Sequence, residues 1–411
     1  MIKDIAITAA TRVLLVLAGL VSSVIVVRLL GAEGRGVFFY WSTIAGLAVQ
    51  LGNAGLPSSN TFYLARNHHL LPPLAANALV CALLVGLAAV LLLQVWPRPD
   101  NDSHFVLVFA TGVLASGGLY YLLGVNLLAA LQRYREFNVF ELLNRYVAVV
   151  LIGIVAFVWR SPEATLVGAA IASVAVCIPL FFRLLSLSSP PTPPSFKLFV
   201  EGLSFAFRAY VATLLGFLVL RFNAVYLEWI AGSKILGEWS IAAQLLDAIG
   251  ILPTAIAVVL FPAMLRSEAP YQHMRTNLRL AALAMLAVCA MAAALGRLAI
   301  VILFGAEHTG AYTMLLAGLP SSFAIGLLSV VSQFLAAIGF PWTIVAIWAI
   351  GLAIEILISV LVVPELGAIG AMIALSSAHV TIFLMAWGLA YRLRHAVPQP
   401  VHPSPDGSDA S

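Results

Sequence analysis

Apolar stretches of about twenty residues or more recur from one end of the chain to the other, separated by short polar or glycine- and proline-rich breaks. They lie near residues 5–30, 37–65, 72–96, 105–131, 139–159, 164–185, 200–230, 237–265, 279–303, 310–335, 342–363 and 367–391. A run of that length matches the roughly 30 Å of hydrocarbon that a helix crosses. The runs lack the alternation of barrel strands, and lipid tolerates only helices or a closed barrel, so the pattern predicts helices. Among the breaks are Gly31-Ala32-Glu33-Gly34, Pro72-Pro73, Pro97-Arg98-Pro99-Asp100 and Ser161-Pro162. The expectation is an all-α polytopic membrane protein of about twelve transmembrane helices.

One break differs in kind. Ser186 to Lys197 is rich in serine and in proline, which supplies no backbone donor, and it falls almost at the midpoint. It divides the chain into an N-terminal six-helix bundle (1–185), a linker (186–199) and a C-terminal six-helix bundle (200–395). The polar, proline-rich tail (396–411) is expected to be disordered.

Composition excludes a soluble protein: 62% of residues are apolar and 9% charged, against roughly a quarter charged in a soluble domain. The net charge of +4, from 21 basic and 17 acidic residues, carries no nucleic-acid signal, because most basic groups sit in loops beside apolar spans. Cys81, Cys177 and Cys289 each fall within a span and share no metal spacing, which reads as small core hydrophobes. The first run, Ile5 to Leu30, is too long for a signal-peptide core and is expected to remain as a span.

With the N-terminus in the cytoplasm, eleven loop and terminal cations lie inside (Lys3, Arg66, Arg133, Arg135, Arg183, Lys197, Arg266, Arg275, Arg279, Arg392, Arg394) and four outside (Arg35, Arg98, Arg160, Lys234). That satisfies the positive-inside rule and places both termini in the cytoplasm. The halves also resemble each other. Leu30 to Phe38 aligns with Ala231 to Trp239 at an offset of 201, Val167 to Ala170 with Ile369 to Met372 at 202, and Leu128 to Leu131 with Leu335 to Ile338 at 207. Six spans per half give a parallel repeat, and transporters of that kind bind substrate near the midplane at the repeat interface.

Several elements together resemble the polysaccharide-biosynthesis (O-antigen type) flippases of the multidrug/oligosaccharidyl-lipid/polysaccharide exporter superfamily. They are Arg28-Leu29-Leu30-Gly31-Ala32-Glu33-Gly34-Arg35-Gly36, Gly55-Leu56-Pro57, Leu131-Gln132-Arg133-Tyr134, Gly232 to Gly237, Leu260-Phe261-Pro262 and Pro364 to Ala371. The resemblance implies a MATE-like pair of six-helix bundles around a central cavity, alternating access, and a lipid-linked sugar on a polyprenyl pyrophosphate carrier. Glycines in the turns supply the positive φ of a tight reversal. Gly52, Gly55 and Pro57 in span two, and Gly250 and Pro253 in span eight, read either as bends on which the bundles pivot or as static packing notches.

Charges inside the spans are the candidate site. Arg12 and Arg208 occupy comparable depths in spans one and seven, and Arg221 lies deeper in span seven. A central arginine costs roughly 2.5–3.5 kcal/mol to insert, so such residues face a polar cavity or a partner. An anionic headgroup suits the planar guanidinium fork; snorkelling is the alternative for the shallower pair, and Glu228 is a candidate counter-ion for Arg221. Asp247 and Glu355 are candidates for coupling to H+ or Na+, or partners of a buried arginine. Glu141 and Arg145, four apart, read as an intrahelical pair, and His379 as a buried imidazole or a relay. Asn53, Asn60, Asn126, Gln244 and Gln333 either bond sugar hydroxyls or bridge helices. Arg28 is expected to snorkel, and Tyr40, Trp41, Trp229 and Trp239 to form an interfacial belt.

The function expected is a flippase for a lipid-linked oligosaccharide in the cytoplasmic (inner) membrane. It would act as a monomer beside a polysaccharide polymerase or glycosyltransferases, with no cofactor and no nucleic-acid partner. A cation-coupled multidrug antiporter predicts an acidic cavity, whereas this chain leans towards arginine. A membrane polymerase or ligase would need a large outer loop, and none exceeds about ten residues. A scaffolding subunit leaves the buried charges unexplained.

Overall fold

The computed structural model describes residues 2–95, 104–188, 190, 192–250, 269–339 and 341–395, and of residues 2–10, 12, 13 and 208 the backbone only. The Pro97 to Asp100 break, Pro253, Leu260-Phe261-Pro262, Arg266 and the tail from Ala396 lie outside the described residues.

Within them the α-helices are α1 (Ile2–Asn53), α2 (Leu56–Arg66), α3 (Leu71–Gln94), α4 (His104–Ala130), α5 (Tyr134–Trp159), α6 (Pro162–Leu187), α7 (Phe196–Ile249), α8 (Pro270–Leu303), α9 (Ala311–Ala337) and α10 (Thr343–Arg392). No strand occurs among the described residues. Among the described residues nine stretches are long and apolar enough to cross a bilayer. Three of them, in α1, α7 and α10, are too long for one pass: fifty residues of helix would measure about 75 Å, more than twice the hydrocarbon depth.

Each of the three is divided by one glycine. Gly31 has φ 70° and ψ −175°, Gly232 φ 78° and ψ 173°, and Gly367 φ 55° and ψ −132°. A Cβ obstructs these conformations, so glycine is the residue that ends one pass and starts the next. Among the described residues the nine stretches therefore hold twelve passes, six in each half.

Helices α4 and α9 are the innermost of their bundles, the two candidate spans with more than half their residues buried. Small residues let the neighbours in. A Cβ on Gly86 of α3 would stand 2.8 Å from the carbonyl oxygen of Gly112 in α4, and one on Gly112 would stand 2.9 Å from that of Gly86. Such close backbone approach drives helix association where lipid removes the hydrophobic incentive.

The seam between bundles runs along α1 and α7. A side chain on Gly36 would collide with the carbonyl of Ser233, and one on Gly237 with the carbonyl of Ala32. Both pairs are related by the offset of 201, so one contact is made twice about a pseudo-twofold axis. We call this the turn end of the molecule. Towards the other end, α2 lies on α7: Phe62 stacks on Phe205 at 4.2 Å, and the Tyr210 hydroxyl donates to the Leu51 carbonyl at 2.9 Å. The chain bends between α1 and α2 at Ala54 and Gly55, where φ is 47° and 79°. Asn77 of α3 clamps the start of α7, accepting from the Ser195 N–H at 2.8 Å and donating to its carbonyl at 2.9 Å.

Three sequence expectations are corrected at the turn end. Tyr40, Trp41 and Trp239 are buried, because the reciprocal glycine contact draws their helices together; Trp229, 57% exposed, suits the belt. Arg28 does not simply snorkel. Its Nε donates to the Leu303 carbonyl at 2.7 Å and its Nη2 to the Ile302 carbonyl at 2.6 Å, capping the C-terminus of α8 across the seam. Arg35, assigned to an exposed loop, is 5% exposed.

Candidate functional site

A pocket of about 330 Å³ opens in the C-terminal bundle between α7, α9 and α10. Both arms of α7 contribute. Arg221 comes from the arm before Gly232, and Trp239 and Asp247 from the arm after it, so the glycine reversal sets them side by side. Arg221 Nη2 stands 4.0 Å from Asp247 Oδ2, with the side chains 23% and 45% exposed. At that distance and exposure the pair is loose, and surface-like ion pairs contribute little net stability. Both groups remain available to a ligand.

A second guanidinium joins from the N-terminal half. Arg35 Cζ lies 5.3 Å and Arg221 Cζ 5.7 Å from the centroid of the Phe39 ring, so one aromatic ring serves two cations. Arg35 Nε donates to Ser240 Oγ at 3.0 Å, and that hydroxyl donates to the Gly237 carbonyl at 2.7 Å. No carboxylate stands within ion-pair distance of Arg35 among the described residues. Two arginines with one loosely held carboxylate make a cationic site at the seam.

The opposite wall carries hydrogen-bonding groups and no carboxylate or guanidinium. Ser321, Ser322, Trp348 and His379 line it, with Ser321 Oγ 2.6 Å from His379 Nδ1. The Trp239 Nε1–H is buried without a hydrogen-bond partner while its ring lines the pocket.

Glu355 stands elsewhere. It is fully buried where α7 meets α10, and Asn223 Nδ2 donates to its Oε1 at 2.6 Å and to the Ala371 carbonyl at 3.2 Å. Ser359 Oγ donates to Asn223 Oδ1 at 2.8 Å, and Glu355 Oε2 has no partner. No arginine pairs with Glu355 among the described residues, and it does not line the pocket. Glu228 accepts from Ser233 Oγ at 2.7 Å, within the turn. Glu141 accepts the Tyr121 hydroxyl at 3.0 Å, while the Arg145 guanidinium lies against Gly19 of α1. The side chains of Arg12 and Arg208 lie outside the described residues.

Arg221, Asp247 and His379 are therefore brought to one pocket, and Glu355 to a separate buried cluster. Sequence reasoning missed Arg35, Phe39, Asn223 and Trp348. A signal existed for Arg35: its repeat partner at offset 201 is Leu236, which is fully buried.

The fold is shared with solved transporters. The lipid II flippase MurJ in an inward closed conformation is 15% identical, with a TM-score of 0.76 over 95% of this chain and 88% of that one. An inward-facing multidrug resistance MATE family transporter of the MOP superfamily is 14% identical, with a TM-score of 0.70 over 95% and 98%. A MOP superfamily transporter from Pyrococcus furiosus, described as having a binding pocket of reversed polarity, is 15% identical, with a TM-score of 0.66 over 96% of each chain. A search of curated proteins gave no match. The family model described as polysaccharide biosynthesis protein matches residues 1–268, well over half of the chain. With the twelve-pass fold and the cationic seam, that match makes this chain a multi-pass membrane member of the polysaccharide biosynthesis protein family.

Proposed function

We propose that this protein is a flippase that carries a lipid-linked oligosaccharide, borne on a polyprenyl pyrophosphate, across the bacterial cytoplasmic membrane by alternating access. The observation that carries the reading is the pair of guanidiniums, Arg35 from the N-terminal half and Arg221 from the C-terminal half, that share Phe39 beside the pocket. A pyrophosphate bridging them would neutralise both charges and tie its own binding to the relative position of the bundles. The serine-, indole- and imidazole-lined wall suits a hydroxylated ring stacked on Trp348. Arg12 and Arg208 remain candidates for the same cavity.

Asp247 and the Glu355–Asn223–Ser359 cluster are our candidates for coupling to H+ or Na+. The cluster offers oxygen ligands from Glu355, Ser359 and the Ala371 carbonyl, and a carboxyl with one oxygen free to bind a proton. On this reading both termini lie in the cytoplasm, and the protein works as a monomer beside a polymerase or glycosyltransferases that make and consume the lipid-linked sugar. The multidrug-antiporter reading has one observation in its favour, the 45% exposure of Asp247 in the pocket.

The test is a proteoliposome assay that follows leaflet exposure of a lipid-linked oligosaccharide, run beside uptake of a cationic dye. Sugar-lipid exposure that depends on Arg35 and Arg221 supports the flippase. Dye uptake that depends on Asp247, with no movement of the sugar lipid, replaces it with the antiporter.

A further inference from the structure

The ends of α5 and α6 carry a second anion-seeking feature, away from the seam. α5 packs on α6, α1 and α4, and the groove between the start of α5 and the end of α6 has a volume of about 460 Å³. Arg135, Glu136 and Arg183 line it together with Val139, Phe140 and Pro179.

The charges there are unbalanced. Glu136 is held from two sides: Arg133 Nη2 lies 2.6 Å from Oε1, while Arg183 binds in fork geometry, Nε to Oε2 at 2.8 Å and Nη2 to Oε1 at 2.9 Å. One carboxylate thus serves two guanidiniums. Arg135 is exposed, with no hydrogen bond or ion pair among the described residues, so three arginines against one glutamate leave +2. The first turn of α5 adds to this, since no side chain caps its free N–H groups.

The walls are apolar. Val139 in the groove is 54% exposed, with Phe140 and Pro179 completing the apolar lining, and Phe182, next to Arg183 on α6, is 61% exposed. These residues occupy the ends of two membrane spans, where hydrocarbon gives way to headgroups. A soluble anion has no use for such walls, whereas a lipid presents a phosphate and an acyl chain at this spacing from the bilayer centre.

We infer that the groove between the start of α5 and the end of α6 binds the headgroup of a resident anionic phospholipid, with the phosphate held by Arg135 and Arg183 and an acyl chain lying along Val139 and Phe182. Glu136 holds the Arg183 fork in place and also limits the affinity, because it neutralises part of the cationic charge. The site is separate from the pocket, which is built from α7, α9 and α10.

The experiment uses the full-length protein in nanodiscs of mixed phosphatidylglycerol and phosphatidylcholine, with native mass spectrometry counting retained lipids. The wild type should retain phosphatidylglycerol in preference to phosphatidylcholine. Arg135→Gln, an exposed position whose loss leaves the Arg133–Glu136–Arg183 bridge intact, should weaken that retention about fivefold, the worth of one basic residue near an anionic surface. Glu136→Gln should strengthen it. Equal retention of the two lipids by the wild type would overturn the inference, as would indifference to both substitutions. Displacement of the phosphatidylglycerol by millimolar inorganic phosphate would also overturn it, showing a soluble-anion site.

Discussion

Gly36 meets the backbone carbonyl of Ser233 with no room for a side chain between them, and the repeat returns the same contact between Gly237 and Ala32. Two related bundles are thereby held backbone to backbone at one end, and Arg28 reinforces the closure from the N-terminal side. Any movement that opens this end must break two backbone contacts between two segments and release a guanidinium from two carbonyls. The turn end is thus a discrete contact that is either made or broken, as a gate in the proposed alternating access would be.

Gly36→Ala and Gly237→Ala should each destabilise the closed turn end. Overpacking of a tight contact costs about 1–3 kcal/mol, and here the obstructing atoms are backbone, which cannot rotate away. Thermal unfolding of the full chain in detergent should show the loss. Gly388→Ala, where a Cβ meets nothing within 4 Å, serves as the control and should be silent. Equal melting of all three variants would contradict the gate.

Gly31→Ala and Gly232→Ala test a different force. A Cβ at either position has open space around it, so contact strain is absent and the backbone conformation alone resists the change. The expected cost is about 1–3 kcal/mol each. Gly310→Ala, equally open but at φ −58°, should cost nothing measurable. Melting temperatures of the three separate backbone strain from crowding.

Arg28→Ala should free the last turn of α8 without unfolding the bundle. Amide hydrogen exchange over residues 299–304 should accelerate by at least about tenfold, because the substitution removes both charge-assisted hydrogen bonds and one alone is worth roughly 1.5 kcal/mol. Unchanged exchange there would show that the cap contributes nothing to closure.

Arg221→Ala and Arg35→Ala should leave the protein inserted and reduce export of surface polysaccharide. Arg221→Lys should recover little, because an ammonium cannot reproduce the two-pronged geometry of the guanidinium. Immunoblotting for protein level alongside polysaccharide staining distinguishes lost transport from lost protein. Full export by both alanine variants would remove the cationic seam from the mechanism.

Glu355→Gln and Glu355→Ala should separate coupling from packing. The glutamine fills the same space beside Asn223, so the fold should persist while any dependence of transport on Na+ or pH disappears. The alanine leaves a buried amide short of its partner, costing about 1–3 kcal/mol, and should lower thermal stability as well. Ion dependence surviving in the glutamine variant would assign coupling to another group, with Asp247→Asn the next substitution to compare.

The halves of this molecule share a backbone plan but not a chemistry. At offset 201 Asp247 falls opposite Gly46, and at offset 202 His379 falls opposite Cys177. The repeat therefore duplicates the glycine turns, which shape the fold, and leaves the pocket's polar groups in single copy. This explains why the resemblance of the halves is legible at Gly31 and Gly232 and fades at the site.

Run length, breaks and composition were enough to determine the solvent, the helical class and the twelve passes. Each of these rests on local quantities: the length of an apolar run against bilayer depth, and the positive φ that glycine favours at a reversal. Which charges meet was decided by tertiary structure alone. Arg221 and Asp247 are 26 positions apart, and they become neighbours because α7 folds back on itself at Gly232. Arg35 looked like a loop residue until the glycine contact buried it beside Ser240, and Glu355 found Asn223 on another helix instead of an arginine. A side chain's partner depends on which helix faces lie together, and in a chain apolar on nearly every face the hydropathy pattern does not say which face that is.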